Sequence, residues 1–152
     1  MLWHAYGPRL LLNLTGSLPR GVYILTPPTT LTPGMLVVFP PPASMAALLV
    51  TRGYLAPQTP LLKPVAAVAG DTVCVQDEGV FLEDHLVAPV ATVDHLGRPL
   101  PRWRGCVTLA DGEVFPLSLW HPQSFDGRYF GPVPVQHLWG EAVPLLTWGG
   151  AP

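Results

Sequence analysis

The sequence is short of charge: Asp, Glu, Lys and Arg together make up 12% of its 152 residues, about half the share usual for a soluble domain. A chain this apolar either leaves surface for a membrane or partner, or buries its strands on both faces. Net charge is −2 and the pI is near 6.2, so there is no basic field to hold nucleic acid. Long apolar runs are also missing, since the longest near the start is Leu10–Leu12 and a bilayer span needs about 18 residues or more. Nor does Met1 to Gly16 read as a signal peptide, because Trp3, His4, Tyr6, Pro8 and Arg9 interrupt it. The two cysteines, Cys74 and Cys106, have neither CxxC nor zinc spacing. They are one disulfide or two small buried side chains, and an exported location favours the bridge. Five scattered histidines without H-E-x-x-H indicate no metal, and no cofactor is expected.

Proline and glycine are plentiful, at 20 and 15 residues, and they cut the chain into short segments that suit strands and turns better than long helices. The class is mainly β. Gly21 to Leu25, Met35 to Phe39, Leu61 to Val68, Thr72 to Gln76, Val80 to Leu82, Glu113 to Leu119 and Glu141 to Leu146 have strand character. Pro33-Gly34, Gly70-Asp71 and Glu78-Gly79 mark turns. One helix is expected, from Ala43 to Arg52, between the Pro40–Pro42 run and Gly53. That proline run leaves the sheet as a stiff connector or rests as an apolar rim on a membrane. With no repeat or composition break, residues 1–152 are expected to form one domain.

Three segments carry chemistry. In Asn13-Leu14-Thr15-Gly16-Ser17-Leu18-Pro19-Arg20-Gly21-Val22-Tyr23 a hydroxyl sits in a turn ahead of a strand. A serine is a weak nucleophile until a base removes its proton, and turn serines commonly only bond their own backbone. Asn13-x-Thr15 also matches a glycosylation sequon, a pattern too short to carry weight. In Leu61-Leu62-Lys63-Pro64-Val65 the chain's single lysine falls within an apolar strand. Burial favours its neutral form and so fits it for general base, whereas a strand-end lysine can instead snorkel to water. The third segment is Ser124-Phe125-Asp126-Gly127-Arg128-Tyr129-Phe130-Gly131. Asp126 with His121 or His137 could form a Ser-His-Asp triad, but no pattern brings either histidine to Ser17, and Lys63 already supplies a base. Asp71, Asp94 and His95 fit turns better than ligand positions.

The first segment resembles the N-T-x-S-x-P-x-G-x-Y region of TraF-type peptidases, a branch of the type I signal peptidases. The second resembles their lysine box, K-x-V-x-x-x-x-G-D, with Pro64 where arginine is usual. The third resembles the S-x-D-S-R-Y-x-G box, with Gly127 in place of a serine. The likeness runs from about Gly7 to Trp148, with the three boxes in order. It implies a signal peptidase/LexA-like core of antiparallel strands with one short helix. Ser17 is then the nucleophile, Lys63 the general base, and the Thr15 hydroxyl with the Ser17 amide the oxyanion hole. Ser124 orients Lys63, while Asp126 and Arg128 pair to brace the loop.

The activity implied is a serine endopeptidase that removes leader or pro-segments from exported proteins such as conjugative pilin precursors. It would take extended peptide with small residues before the cut and work against a membrane surface at the periplasmic face of the inner membrane. The family ordinarily carries an N-terminal membrane anchor. No run here reads as one, which leaves a lost start or an outlier without an anchor. A self-cleaving LexA-like repressor shares the dyad but needs a DNA-binding domain, and none precedes Ser17. A catalytically idle β module of a pilus or secretion assembly is the alternative from another class.

Overall fold

The structure, a computed structural model, describes residues 9–149. Gly7 and Pro8, where the family likeness begins, lie outside the described residues, as does the first half of the segment tested for a signal peptide. The chain runs through β1 (Arg9–Asn13), β2 (Arg20–Thr26), β3 (Leu36–Phe39), α1 (Ala43–Thr51), β4 (Leu61–Val68), β5 (Thr72–Gln76) and β6 (Gly79–Leu82). It continues with β7 (His85–Ala88), β8 (Gly105–Thr108), β9 (Glu113–Pro116), α2 (Gly127–Phe130), β10 (Val133–Pro134), a 3-10 turn at Val135–His137 and β11 (Gly140–Trp148). The fold is mainly β, as the proline and glycine spacing indicates.

All the paired strands are antiparallel. They form a seven-stranded sheet in the order β1-β2-β11-β3-β4-β9-β10 and a four-stranded sheet in the order β7-β6-β5-β8. Strand β2 alternates burial residue by residue, turning Tyr23 and Leu25 inward. Strand β4 does not alternate, because Leu61 to Val65 are all buried, so the apolar run around Lys63 is enclosed on both faces. Gly21 answers to a close approach, since a Cβ there would lie 2.2 Å from the Leu146 carbonyl oxygen.

Pro64 does not break β4. It pairs with Leu36 of β3, and its carbonyl accepts a hydrogen bond of 3.0 Å from the Leu117 amide. A bulge in the β4–β9 ladder follows, between Val65 and Ala67. Helix α1 begins after the proline run and ends before Gly53, at φ +72°. Beside this helix the chain makes one further helical turn, α2, capped where the Asp126 side chain accepts from the Arg128 amide.

Cys74 and Cys106 face each other across the β5–β8 ladder and form a disulfide. It joins positions separated by 32 residues, a loop whose closure is worth roughly 3–4 kcal/mol in the chain-entropy model. Among the described residues, no helix is long and apolar enough to cross a membrane.

Candidate active site

Two parts of the large sheet, separated by β11 and β3, bring the site together. The turn between β1 and β2 carries Ser17, which is half-buried, while β4 carries Lys63, which is only 5% exposed. The Lys63 amine lies 3.3 Å from Ser17 Oγ and 2.7 Å from Ser124 Oγ. Lys63 is thus held between two hydroxyls that are distant in sequence. Burial pushes its pKa down to about 8, with nearby Asp126 acting to raise it and Arg128 to lower it further. Proton exchange with a serine near neutral pH is therefore within its range.

The third segment closes over this amine from behind. Ser124 is 3% exposed, and Asp126 and Arg128 are essentially inaccessible. Their side chains pair at 2.8 Å. Arg128 also donates to the carbonyls of Pro89, Pro122 and Ser118, and Asp126 accepts from the Ser118 amide at 2.9 Å. Paired and hydrogen-bonded this fully, the two charges tolerate burial. The same loop explains Gly127: a Cβ there would sit 2.6 Å from the Pro116 carbonyl oxygen and 3.0 Å from the Phe115 ring. A serine at this position has no room.

Thr15 is placed two residues before Ser17, but its hydroxyl donates to Asn13 Oδ1 at 2.7 Å and its amide donates to the same oxygen at 3.1 Å. Its one hydroxyl proton must rotate away from Asn13 before it can reach an oxyanion. Asp126 has its carboxylate occupied by Ser118 and Arg128. Among the described residues, no hydrogen bond links His121 or His137 to Ser17 or Asp126, so a histidine triad is not assembled. His121 does border the site, with its Nδ1 buried and lacking a hydrogen-bond partner among the described residues.

Three residues at the site were given no role in the sequence reading, although Asn13 and Tyr23 lie in its first segment. Asn13 bridges the nucleophile turn, Ser118 is buried and its Oγ lies 3.4 Å from the Ser17 carbonyl, and Tyr23 donates to the Pro19 carbonyl at 2.6 Å. Of these, Asn13 had a signal: asparagine two residues before a hydroxyl residue favours an Asx turn.

Ser17 and Lys63 open onto a cavity of about 660 Å3. Residues 11–17 bound it on one side and Thr59 to Lys63 on another, with Leu49, Tyr54, Phe125 and Tyr129 adding apolar and aromatic surface. Strand β1 is an edge of its sheet, which leaves backbone donors and acceptors for an added strand. Among the described residues, no group of three or more His, Cys, Asp or Glu could hold a metal ion.

Comparison with known proteins gives consistent matches along the chain. The family model described as signal peptidase, peptidase S26, matches residues 7–148. A plasmid transfer protein TraF of Escherichia coli is 36% identical over 146 residues, covering 90% of this chain and 82% of its own length. A probable conjugal transfer protein TraF of Sinorhizobium fredii is 33% identical over 147 residues, with 90% and 77% covered. Among solved structures, a signal peptidase I of Enterococcus faecalis is similar over 74% of this chain and 97% of its own, at 16% identity and a TM-score of 0.42.

Proposed function

This chain belongs to the signal peptidase, peptidase S26, family in its TraF-type branch, and on that premise we propose that it is a serine endopeptidase in which Ser17 attacks and Lys63 moves the proton. The observation that carries this reading is a buried amine placed between Ser17 Oγ and Ser124 Oγ. In the neutral state, Lys63 accepts the Ser17 proton as Oγ adds to the scissile carbonyl. The Ser17 amide holds the oxyanion, joined by the Thr15 hydroxyl once it turns from Asn13, and each such donor is worth about 3 kcal/mol in the transition state. Protonated Lys63 then gives its proton to the leaving amine. Water, deprotonated by the same lysine, finally releases the acyl group from Ser17.

The substrate is an extended peptide laid along the β1 edge, from an exported protein of the pilin-precursor kind. This assignment leans on relatives that carry the names of plasmid and conjugal transfer proteins. A membrane location draws support from surface rows on β1, β2 and β11. Leu10, Ile24 and Val143 align across the three strands, as do Leu12, Val22 and Leu146, and Leu10, Leu12, Val143 and Leu146 are each at least half exposed. Such a patch suits an apolar surface better than water. The disulfide fits the oxidising periplasmic side.

The test is cleavage of a peptide spanning a pilin-precursor processing site by wild type, Ser17→Ala and Lys63→Ala. Cleavage by the wild type and its loss by at least ~10³-fold in both variants is expected. Equal rates in all three would end the reading.

A further inference from the structure

The nucleophile turn is tied together by one buried side chain that the proposed chemistry does not use. Asn13 closes β1 and is 5% exposed. Its Oδ1 accepts from both the amide and the hydroxyl of Thr15, at 3.1 and 2.7 Å. Its Nδ2 reaches across the turn to the carbonyls of Pro19 and Leu18, at 3.1 and 3.5 Å. The donor and acceptor ends of one amide thus grip the two ends of the loop that carries Ser17. The Pro19 carbonyl also accepts from Tyr23 Oη at 2.6 Å, which anchors the far end of the turn to β2.

We propose that Asn13 is a positioning residue: it fixes the distance between the Ser17 hydroxyl and Lys63 and holds the Thr15 hydroxyl at rest until an oxyanion competes for its proton. Two features single it out. Lys63 stands in a paired, buried strand with its amine also held by Ser124 Oγ at 2.7 Å, so the 3.3 Å separation from Ser17 Oγ depends on where the turn stands. Ser17 itself lies outside any strand or helix; beyond the β1–β2 ladder that ends at Asn13 and Gly21 and the Ser118 hydroxyl on the Ser17 carbonyl, the turn is spanned by the side-chain amide of Asn13. A serine displaced by an ångström loses far more rate than binding, because attack requires near-contact geometry. The Thr15 hydroxyl makes one hydrogen bond at rest and exchanges it for one to the oxyanion. Asn13 Oδ1 still accepts from the Thr15 amide after the exchange, so it is not left unsatisfied.

This inference rests on the Ser17–Lys63 reading, and its test separates the two. Asn13→Ala and Asn13→Asp are compared with wild type for peptide cleavage, each rate normalised to the folded fraction, and for hydrogen exchange of the Thr15 amide. Asn13→Asp keeps the acceptor for Thr15 but removes the donor to Leu18 and Pro19, and it serves where the alanine variant folds poorly. The expected result is a kcat lowered at least 30-fold by Asn13→Ala, with KM changed less than threefold and the pH midpoint unmoved. The Thr15 amide should exchange at least tenfold faster in Asn13→Ala and keep its protection in Asn13→Asp, whose kcat falls all the same. Combining Asn13→Ala with Thr15→Val should cost less than the product of the two single losses. A kcat within twofold of wild type in both Asn13 variants, or unchanged Thr15 exchange in Asn13→Ala, overturns the positioning role while leaving the dyad standing. Absence of Ser17-dependent cleavage in the wild type overturns the dyad instead, and the exchange data still decide whether Asn13 holds the turn.

Discussion

Lys63 and Ser124 share the shorter of the two hydrogen bonds at the lysine amine, 2.7 Å against 3.3 Å to Ser17. On the proposed reading, Ser124 orients the amine that faces the Ser17 hydroxyl. A hydrogen bond involving a charged group is worth about 1.5–3 kcal/mol, which sets the scale for its loss. Ser124→Ala should lower kcat by roughly 10–100-fold and leave KM within a few-fold of wild type. Steady-state kinetics on a cleavable peptide checks this, and an unchanged kcat would remove Ser124 from the site.

If Lys63 is the base, as proposed, it also sets the pH dependence. Its pKa is lowered to about 8 by burial, so roughly one-tenth of the enzyme holds a neutral amine at pH 7. The acid limb of kcat/KM should rise about tenfold per pH unit and level off above pH 8. Stability follows the same group with a fixed sign. The folded pKa lies below the ordinary value of 10.5, so the unfolded chain binds more protons between pH 8 and 10.5, and this contribution to stability rises across that window. Below it, both states are protonated and the cost of the buried ammonium is present in full. Kinetic and denaturation profiles measured on the same samples test both statements.

Asp126 and Arg128 form a fully buried ion pair. Removing one partner strands the other, at a cost of about 3–5 kcal/mol. Asp126→Asn should accordingly destabilise the protein by that amount in urea unfolding. Because Asp126 raises the Lys63 pKa and Arg128 lowers it, the folded fraction should also show its acid limb shifted to lower pH. Replacing the pair together by apolar residues should cost less than either single change.

Strands bounded by clear turn signals were legible in the sequence, and strands without such marks were not. Strand β4 was readable to the residue, and β2 nearly so, because β-branched and aromatic residues lie between clear turn signals. Strand β1 was not, since Leu10 and Leu12 are exposed and Leu11 half-buried, so its three leucines show no polar and apolar alternation. Strand β8 is only Gly105–Thr108 and almost wholly exposed, and its pairing with β5 is a long-range fact that propensity does not encode. In the site, Ser17, Lys63 and Ser124 were singled out by their boxes, and the distances among them belong to the fold. Asn13 was read as part of a turn. What it grips depends on the backbone bringing Thr15, Leu18 and Pro19 around it.

The departure at Gly127 has a packing cause, and it yields a stability test. A serine there meets a backbone oxygen at 2.6 Å, a neighbour that cannot swing aside. Gly127→Ser should destabilise by about 1–3 kcal/mol through overpacking, with Tm falling roughly 2–4 °C for each kcal/mol. Calorimetry measures it. A neutral substitution would mean that the loop between Pro116 and α2 yields more readily than its buried ion pair implies.

The pairing of Ser17 with Lys63 is tested most directly by the rate at which a fluorophosphonate labels the protein, with the site located by mass spectrometry. Lys63→Met keeps the volume of the buried stem and removes the base. The wild type should be labelled on Ser17 alone, faster as pH rises toward 8, and Lys63→Met should react at least ~10³-fold more slowly at every pH. Labelling of Ser17 at equal rates in the two proteins, or labelling of the wild type at some other residue, would contradict the account.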